Sequence, residues 1–299
     1  MASSSRQDLL VRAMPAVFVL IWSTGFIVAR YGMPYAPPMK FLAVRYGLSV
    51  ACFLVWALAA RAAWPRSPSQ AVHLAITGIF MHAGYLGGVW AAVKEGMGAG
   101  LSALLVGLQP VLTALWLSAR GNRVAPRQWA GLGLGMAGLV LVVWQKLGFG
   151  EVHPHNLLLA IVALLSITAG TLYQKRFVQP CDVRTANLVQ LAAAFVVTLP
   201  LALLETESMR WMLDGHLNAQ LAGAMAWSVL GLTLGGSSLL YLLIQRGAAT
   251  TVTSLMYLVP PTTAVMAWLL FGEPFTPLIV GGIALTAVGV SLVVRAPKA

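Results

Sequence analysis

Charged residues are scarce in this chain, and acidic ones are the scarcest. Only 9% of the 299 residues are charged, with 8 Asp and Glu against 19 Lys and Arg, whereas about a quarter of the residues in soluble globular domains are charged. Hydrophobic residues make up 59% of the chain. A soluble protein of this composition would lack the polar groups needed to cover its surface. The scarcity of charge therefore excludes a soluble domain and predicts an integral membrane protein.

Cysteine and enzyme motifs are also scarce. The two cysteines, Cys52 in an apolar stretch and Cys181 in a polar one, are too few and too far apart for a disulfide framework or a metal site. We find no phosphate-binding loop, zinc signature or serine elbow. His153 and His155 form a short pair with only Glu151 nearby as a further ligand. No metal, cofactor or catalytic centre is predicted, and a membrane-embedded enzyme stays only as an alternative.

What the chain does contain is a series of unbroken apolar runs of roughly 20 residues, the length of a membrane-spanning helix. These runs do not alternate in polarity, which favours helices over a barrel. The predicted fold is an all-α membrane protein with ten spans, at residues 13–31, 38–60, 71–93, 98–118, 127–143, 156–177, 185–204, 220–244, 250–271 and 277–294. Ten such helices leave no room for a soluble catalytic domain.

The net charge of +11 would suggest nucleic-acid binding in a soluble chain, but here the basic residues lie in alternate loops. If both termini are cytoplasmic, the outer loops hold only Lys40, Lys94, Lys146 and Arg210. The inner segments then hold Arg6, Arg12, Arg61, Arg66, Arg120, Arg123, Arg127, Lys175, Arg176, Arg184, Arg246, Arg295 and Lys298. Because cytoplasmic loops are enriched in Lys and Arg, this asymmetry predicts cytoplasmic termini. No nucleic acid is expected as a partner.

The chain contains an internal duplication. Residues 99–114 align with residues 249–264, and residues 125–143 align with residues 276–294. Two prolines and two glycines coincide in this register, at Pro110/Pro260, Pro126/Pro277, Gly131/Gly282 and Gly138/Gly289. The duplication carries each span onto the one five places later, and an odd number of spans reverses direction. We therefore predict two inverted five-helix repeats, at residues 1–147 and 148–299.

Several segments resemble the EamA-type transporters of the drug/metabolite transporter superfamily, including the YddG-like amino-acid and metabolite exporters. The resemblance rests on Trp22-Ser23-Thr24-Gly25-Phe26, Arg45, Pro110, Leu258-Val259-Pro260, Phe271-Gly272-Glu273, Gly281-Gly282 and Gly289. It implies a ten-helix carrier of the inner membrane that exports small metabolites. Inverted repeats are typical of secondary transporters with a central site and alternating access. A receptor or channel remains an alternative, as does a carrier for another small organic or drug-like substrate.

Two ionisable residues lie deep within predicted spans, where a charge is costly and usually functional. Arg45 lies about two turns into the second span and offers parallel donors to a substrate carboxylate. The alternative is that it extends to the outer surface or caps carbonyls of a neighbouring helix. His82 lies in the middle of the third span, with Tyr85 three residues later. It either faces a polar cavity, where it can bind protons, or hydrogen-bonds across helices as a buried neutral ring.

Other polar and aromatic residues recur at helical spacing and are predicted to face the interior. With the residues above they form a predicted substrate cavity of Trp22, Arg45, His82, Tyr85, Gln109, Ser237, Tyr241 and Tyr257. The alternative for any single residue of these stripes is that it hydrogen-bonds a neighbouring helix and does not line a cavity. Pro110, Pro260 and Pro261 are predicted to bend the fourth and ninth spans and to serve gating, although fixed curvature explains them equally well. The glycine-rich fifth and tenth spans predict peripheral packing or a dimer contact, so the protein is a monomer or a homodimer.

The absence of acidic residues from every span centre limits the substrate and the driving force. Coupling through an intramembrane carboxylate is disfavoured, which leaves facilitated efflux or coupling through His82. One interior arginine balances a single carboxylate better than a phosphate, and nearby Trp and Tyr rings favour an aromatic or apolar body. The predicted substrate is therefore an amino acid with an aromatic or other apolar side chain.

Overall fold

The computed structural model describes residues 2–121, 125–236, 239 and 258–294, which are mostly helical. The helices of the first half are α1 (Ala2–Gly32), α2 (Pro38–Ala59), α3 (Pro68–Gly78), π1 (Ile79–Gly84), α4 (Tyr85–Lys94), α5 (Ala99–Val106), α6 (Gln109–Ala119) and α7 (Pro126–Gly148). Those of the second half are α8 (Pro154–Phe177), α9 (Val183–Leu204), α10 (Ala219–Ala226), π2 (Trp227–Gly236), α11 (Val259–Phe271) and α12 (Pro277–Val294). Strands β1 (Met212–Leu213) and β2 (His216–Leu217) form a small antiparallel hairpin.

Six helical stretches are long and apolar enough to cross a membrane. They are Pro38–Ala59, Pro68–Lys94, Ala99–Trp116, Pro126–Gly148, Pro154–Phe177 and Val183–Leu204, at the second to seventh predicted spans. Shorter apolar helices, Ala16–Gly32, Val259–Phe271 and Pro277–Leu292, lie at the first, ninth and tenth. The eighth span is described as α10 and π2, and most of its remainder lies outside the described residues. A helical membrane architecture is thus confirmed, and the count of ten stays a prediction.

Proline and short polar side chains define where these helices begin. Five begin with proline as their first residue, which fits a helix start because proline has no N–H to leave unpaired. Ser67 and Asp182 cap α3 and α9 by accepting hydrogen bonds from the backbone N–H groups of Gln70 and Arg184. The Arg184 side chain also donates to Asp182, and together these bonds lower the pKa of the Asp182 carboxyl.

The glycine-rich helices α7 and α12 pack directly on each other. A Cβ on Gly138 would collide with the carbonyl oxygen of Gly282, and a Cβ on Gly289 would lie 2.5 Å from that of Gly131. Between these two contacts, the Thr286 hydroxyl lies 3.3 Å from the Gly135 oxygen. Residue numbers fall along one helix as they rise along the other, so the pair is antiparallel. The glycines of these two helices, for which a peripheral or dimer contact is predicted, therefore pack α7 against α12 within one chain.

These contacts are also related by a twofold exchange. The repeat register pairs Gly131 with Gly282, and Gly138 with Gly289. If each residue is replaced by its equivalent in the other half, the contact of Gly138 with Gly282 becomes a contact of Gly289 with Gly131. That second contact is also observed. Gly135 and Thr286 are equivalent to each other in this register, so the same replacement leaves their contact unchanged. A local twofold axis therefore passes between Gly135 and Thr286, as in an interface between two copies of one subunit.

Two further pairs of equivalent helices run antiparallel. The start of α5 meets the end of α11, where the Glu273 carboxylate accepts from the Ala99 N–H at 2.7 Å. Further along, a Cβ on Gly107 would lie 2.7 Å from Pro260. For α2 and α9, the Glu205 carboxylate that follows α9 accepts from the N–H groups of Met39 and Lys40 at the start of α2, at 2.9 and 2.8 Å. Equivalent helices of the two halves therefore run in opposite directions in three separate pairs.

Both halves also contain a π-helical stretch at the same place. π1 interrupts the third predicted span, and π2 forms the middle of the eighth. Adding 150 to the numbers of π1 gives residues 229–234, which lie inside π2. A π-helix widens the helical turn by one residue and is frequent at functional sites. These stretches bring His82 of π1 and Thr233 of π2 into the polar centre described below.

Ion pairs close one end of the helix bundle, the end predicted to lie outside. Lys146, which is 3% exposed, has its Nζ 2.8 Å from both carboxylate oxygens of Glu151 and 3.7 Å from Oε2 of Glu273. Glu273 in turn holds the N-terminus of α5, where the helix dipole favours a negative charge. At this end, α5, α7 and α11 are joined through buried charges.

Candidate functional site

The centre of the candidate site is Arg45, two turns into α2. Its side chain is only 6% exposed. Nε and Nη2 of the guanidinium donate to the hydroxyl oxygen of Thr233 on π2, at 3.3 and 3.1 Å. That hydroxyl donates in turn to the carbonyl oxygen of Ser228, five residues earlier, at 2.8 Å. The contact joins the second span to the eighth and therefore links the two halves.

Aromatic side chains surround the guanidinium. The Arg45 Cζ lies 6.0 Å from the centre of the Trp90 ring on α4, within the range of a cation–π contact. The phenol groups of Tyr46 and Tyr85 are close enough to interact electrostatically with Arg45. Tyr46 also donates its hydroxyl proton to the carbonyl oxygen of His82 at 2.9 Å. The site therefore has one fixed positive charge and walls of aromatic rings.

Among the residues that the structure describes, no acidic side chain pairs with Arg45. It takes part in none of the ion pairs formed by the described residues. The sequence offers no candidate elsewhere, because the eight acidic residues lie at span ends or in loops, at Asp8, Glu95, Glu151, Asp182, Glu205, Glu207, Asp214 and Glu273. A buried charge without a counter-charge is strongly unfavourable. The arrangement therefore suits a ligand that supplies one negative charge.

Three buried hydroxyl groups in the described part of the chain have no hydrogen-bond partner, those of Ser23, Ser49 and Ser228. Ser49 follows Arg45 by one helical turn, and Ser228 precedes Thr233 by one π turn. Ser23 lies on α1, where its carbonyl oxygen is 3.5 Å from the Thr263 hydroxyl. Leaving a buried hydroxyl unpaired costs about 1–3 kcal/mol. Two of the three therefore belong to the helices that Arg45 and Thr233 join, each within about one turn of one of these residues.

The structure brings only some of the predicted site residues together. Arg45, His82 and Tyr85 lie around one centre, where the ring of His82 meets the ring of Tyr46 edge to face with the centroids 6.1 Å apart, and the Gln190 side chain of α9 lies nearby. Trp22 is half-buried on α1 and packs near Gly236 of π2. Gln109 instead donates to the Thr171 hydroxyl on α8 at 2.7 Å. Ser237, Tyr241 and Tyr257 lie outside the described residues.

The predicted kink residues lie where helices begin. Pro110 is the second residue of α6, which follows a break in the fourth span at Gly107 and Leu108. Pro260 and Pro261 lie in the first turn of α11. The Gly107 break packs against Pro260, so these irregular segments of the two halves touch.

The sequence did not predict four residues of this centre as site residues, namely Tyr46, Trp90, Gln190 and Thr233. Thr233 and Gln190 belong to polar stripes at helical spacing, which could have identified them. Tyr46 and Trp90 belong to no such stripe and give no such signal. For metals, the described residues contain no group of three or more His, Cys, Asp or Glu side chains, and His155 approaches only Glu95, at 3.8 Å.

Comparisons with known proteins identify the scaffold. A model of the EamA-like transporter family matches the chain twice, at residues 13–144 and 156–295. A Salmonella typhimurium protein named "Probable amino-acid metabolite efflux pump" is 25% identical over 283 residues, which cover 91% of this chain and 90% of that protein. The "Uncharacterized inner membrane transporter YedA" of Escherichia coli K12 is 24% identical over 193 residues, 64% of this chain and 61% of YedA. A solved crystal structure matches with a TM-score of 0.65 at 17% identity, covering 93% of this chain and 94% of that one, a likeness of fold alone.

Proposed function

We propose that this chain, which belongs to the EamA-like transporter family, exports amino acids with aromatic or other apolar side chains. As a family member with several apolar helices, it is a multi-pass membrane transporter and not an enzyme. The name of the YedA relative places that protein in the inner membrane, and we assign this chain to the same membrane. The name of the Salmonella relative, an amino-acid metabolite efflux pump, agrees with the proposed substrate class.

The observation that carries the proposal is the uncompensated guanidinium of Arg45. A substrate carboxylate would supply the missing negative charge and two charge-assisted hydrogen bonds. A phosphate would bring more negative charge than this centre balances. The rings of Trp90, Tyr46 and Tyr85 beside Arg45 suit an apolar or aromatic substrate body.

We assign transport to alternating access between inverted halves, residues 1–147 and 148–299. Three equivalent helix pairs that run antiparallel support this assignment, as does the twofold exchange between α7 and α12. The site lies between the halves, because Arg45 belongs to one and Thr233 to the other. Rocking one half against the other would expose this centre to each side in turn. With no acidic side chain in a span centre, the driving force is the substrate gradient or a proton carried by His82.

Transport in reconstituted vesicles tests the proposal. We expect vesicles containing the protein to pass phenylalanine, tryptophan and leucine faster than empty vesicles, and glutamate and lysine no faster. The amide of phenylalanine should pass poorly, because it lacks the carboxylate that Arg45 binds. Equal fluxes across the whole panel would reject the substrate class.

The same vesicles test Arg45 directly. Arg45→Gln should lower the flux of phenylalanine about tenfold or more, since it removes the charge-assisted bonds and leaves the carboxylate unpaired. Arg61→Gln is the matched control, because it removes one positive charge from an exposed position just after α2. Equal flux in Arg45→Gln and wild type would show that the carboxylate binds elsewhere.

A further inference from the structure

We infer that Thr233 and the substrate carboxylate compete for the same edge of the Arg45 guanidinium, so that Thr233 sets the affinity of the carrier. This inference rests on the proposed function and adds to it an affinity-determining residue in the second half. Thr233 lies on π2, and its hydroxyl oxygen is the acceptor for both Nε and Nη2 of Arg45.

The geometry of the guanidinium carries the first step. Nε–H and Nη2–H point in the same direction, and this edge binds the two oxygens of a carboxylate through parallel hydrogen bonds. Thr233 offers one neutral oxygen to both donors, at 3.3 and 3.1 Å. A carboxylate offers two charged oxygens to the same donors. The substrate therefore binds this edge more strongly than Thr233 does, but only after Thr233 has moved away.

The hydroxyl proton of Thr233 carries the second step. It is donated to the carbonyl oxygen of Ser228 at 2.8 Å, across one turn of the π-helix. With its proton used there, the hydroxyl can accept from Arg45 but cannot donate to a carboxylate. Thr233 and the substrate consequently exclude each other at the guanidinium edge.

The unpaired serine hydroxyls carry the third step. Ser49 and Ser228 are fully buried, and neither side-chain oxygen has a partner among the described residues. One lies a turn from Arg45 on α2 and the other a turn from Thr233 on π2. Both hydroxyls can donate a hydrogen bond. The two helices that Arg45 and Thr233 join thus each carry a buried, unsatisfied hydroxyl, which adds to the reasons for expecting a ligand with acceptor oxygens between them.

Replacing Thr233 tests the competition. We expect Thr233→Val to lower the KM for L-phenylalanine about threefold to tenfold, because two hydrogen bonds that oppose substrate binding are lost. Thr233→Ser should restore the wild-type KM, since it keeps the hydroxyl. The matched control is Thr168→Val, a buried threonine whose hydroxyl donates only to a carbonyl of its own helix, that of Leu164. It should leave KM unchanged.

The outcomes separate this inference from the proposed function. Wild-type flux of L-phenylalanine equal to that of empty vesicles would count against the proposed function, and the inference would fall with it. Wild-type transport combined with an unchanged or raised KM in Thr233→Val would overturn the inference alone. Melting of each purified variant in detergent accompanies the assay, because a purely structural role would lower the melting temperature and the maximal rate together without lowering KM. Ser49→Ala provides a second variant, for which we expect KM to rise.

Discussion

At the scale of single side chains, the proposed function depends most on Arg45. Its burial is tolerable because Trp90, Tyr46, Tyr85 and Thr233 surround it with π-electrons and oxygens. None of these neighbours carries a full negative charge. The environment thus holds the guanidinium in place without neutralising it, which leaves it available to a ligand.

A second residue-scale prediction concerns His82. Removing its ring would take away the edge-to-face contact with the ring of Tyr46, whose centroid lies 6.1 Å away, and would leave a gap in the packing beside it. It would also loosen π1, whose carbonyl at His82 anchors Tyr46 beside Arg45. We expect His82→Ala to lower phenylalanine flux severalfold while the protein still inserts in the membrane. The measurement is flux per inserted protein in vesicles.

His73→Ala serves as the control for this change. His73 lies on the same predicted span, is also partly buried, and bonds the Tyr173 hydroxyl of α8 at 2.8 Å. Wild-type flux in both variants would show that His82 has only a packing role.

At this scale the sequence indicates the ionisable residues of the candidate site more readily than their neighbours. Arg45 and His82 could be identified because an ionisable group inside a span needs a reason to be there. Trp90 and Tyr46 could not, because a buried aromatic residue on an apolar helix is ordinary packing until its neighbour is known. Gln109, another predicted cavity residue, donates to the Thr171 hydroxyl on α8, which is the helix-to-helix bonding that a polar stripe equally allows.

At the scale of elements, close approach of glycine-rich helices is the main structural device. We expect Gly282→Ala to lower the free energy of unfolding by about 1–3 kcal/mol, because its Cβ would lie 2.6 Å from Val142 and 2.7 Å from the Gly138 oxygen. The adjacent Gly281 is exposed and has nothing within 4 Å of a Cβ. Gly281→Ala should therefore be neutral or stabilising. Thermal melting of the two variants in detergent makes the comparison, and equal melting temperatures would contradict the close packing.

The helical elements could largely be predicted from the sequence, but their irregularities could not. Apolar run length gives the position of α2, α7, α8 and α9 within a few residues. The π stretches leave no mark on a hydrophobic run, because one extra residue in a turn shifts the polar face without interrupting it. The break at Gly107 depends on contact with Pro260, a tertiary feature that local sequence does not show.

For the whole molecule, the family resemblance is confirmed by a family model that matches the chain twice, once in each half. Predicted orientation adds a test in intact cells. With Cys52 and Cys181 replaced by serine, we expect a membrane-impermeant maleimide to label cysteine at His216 and Thr276, and to leave cysteine at Arg120 and Gln179 unlabelled until the membrane is opened. Labelling of Arg120→Cys and Thr276→Cys from the same face would contradict the opposed halves.

The contact between Gly135 and Thr286 has a consequence for ancestry and for splitting the chain. Two identical subunits could place only like against like on a symmetry axis, either two glycines with a void or two threonines in collision. In a single fused chain the two equivalent positions can differ, and here one is a glycine that leaves space and the other is a threonine that fills it. The two halves, if produced as separate polypeptides, should accordingly associate with each other in preference to forming homodimers.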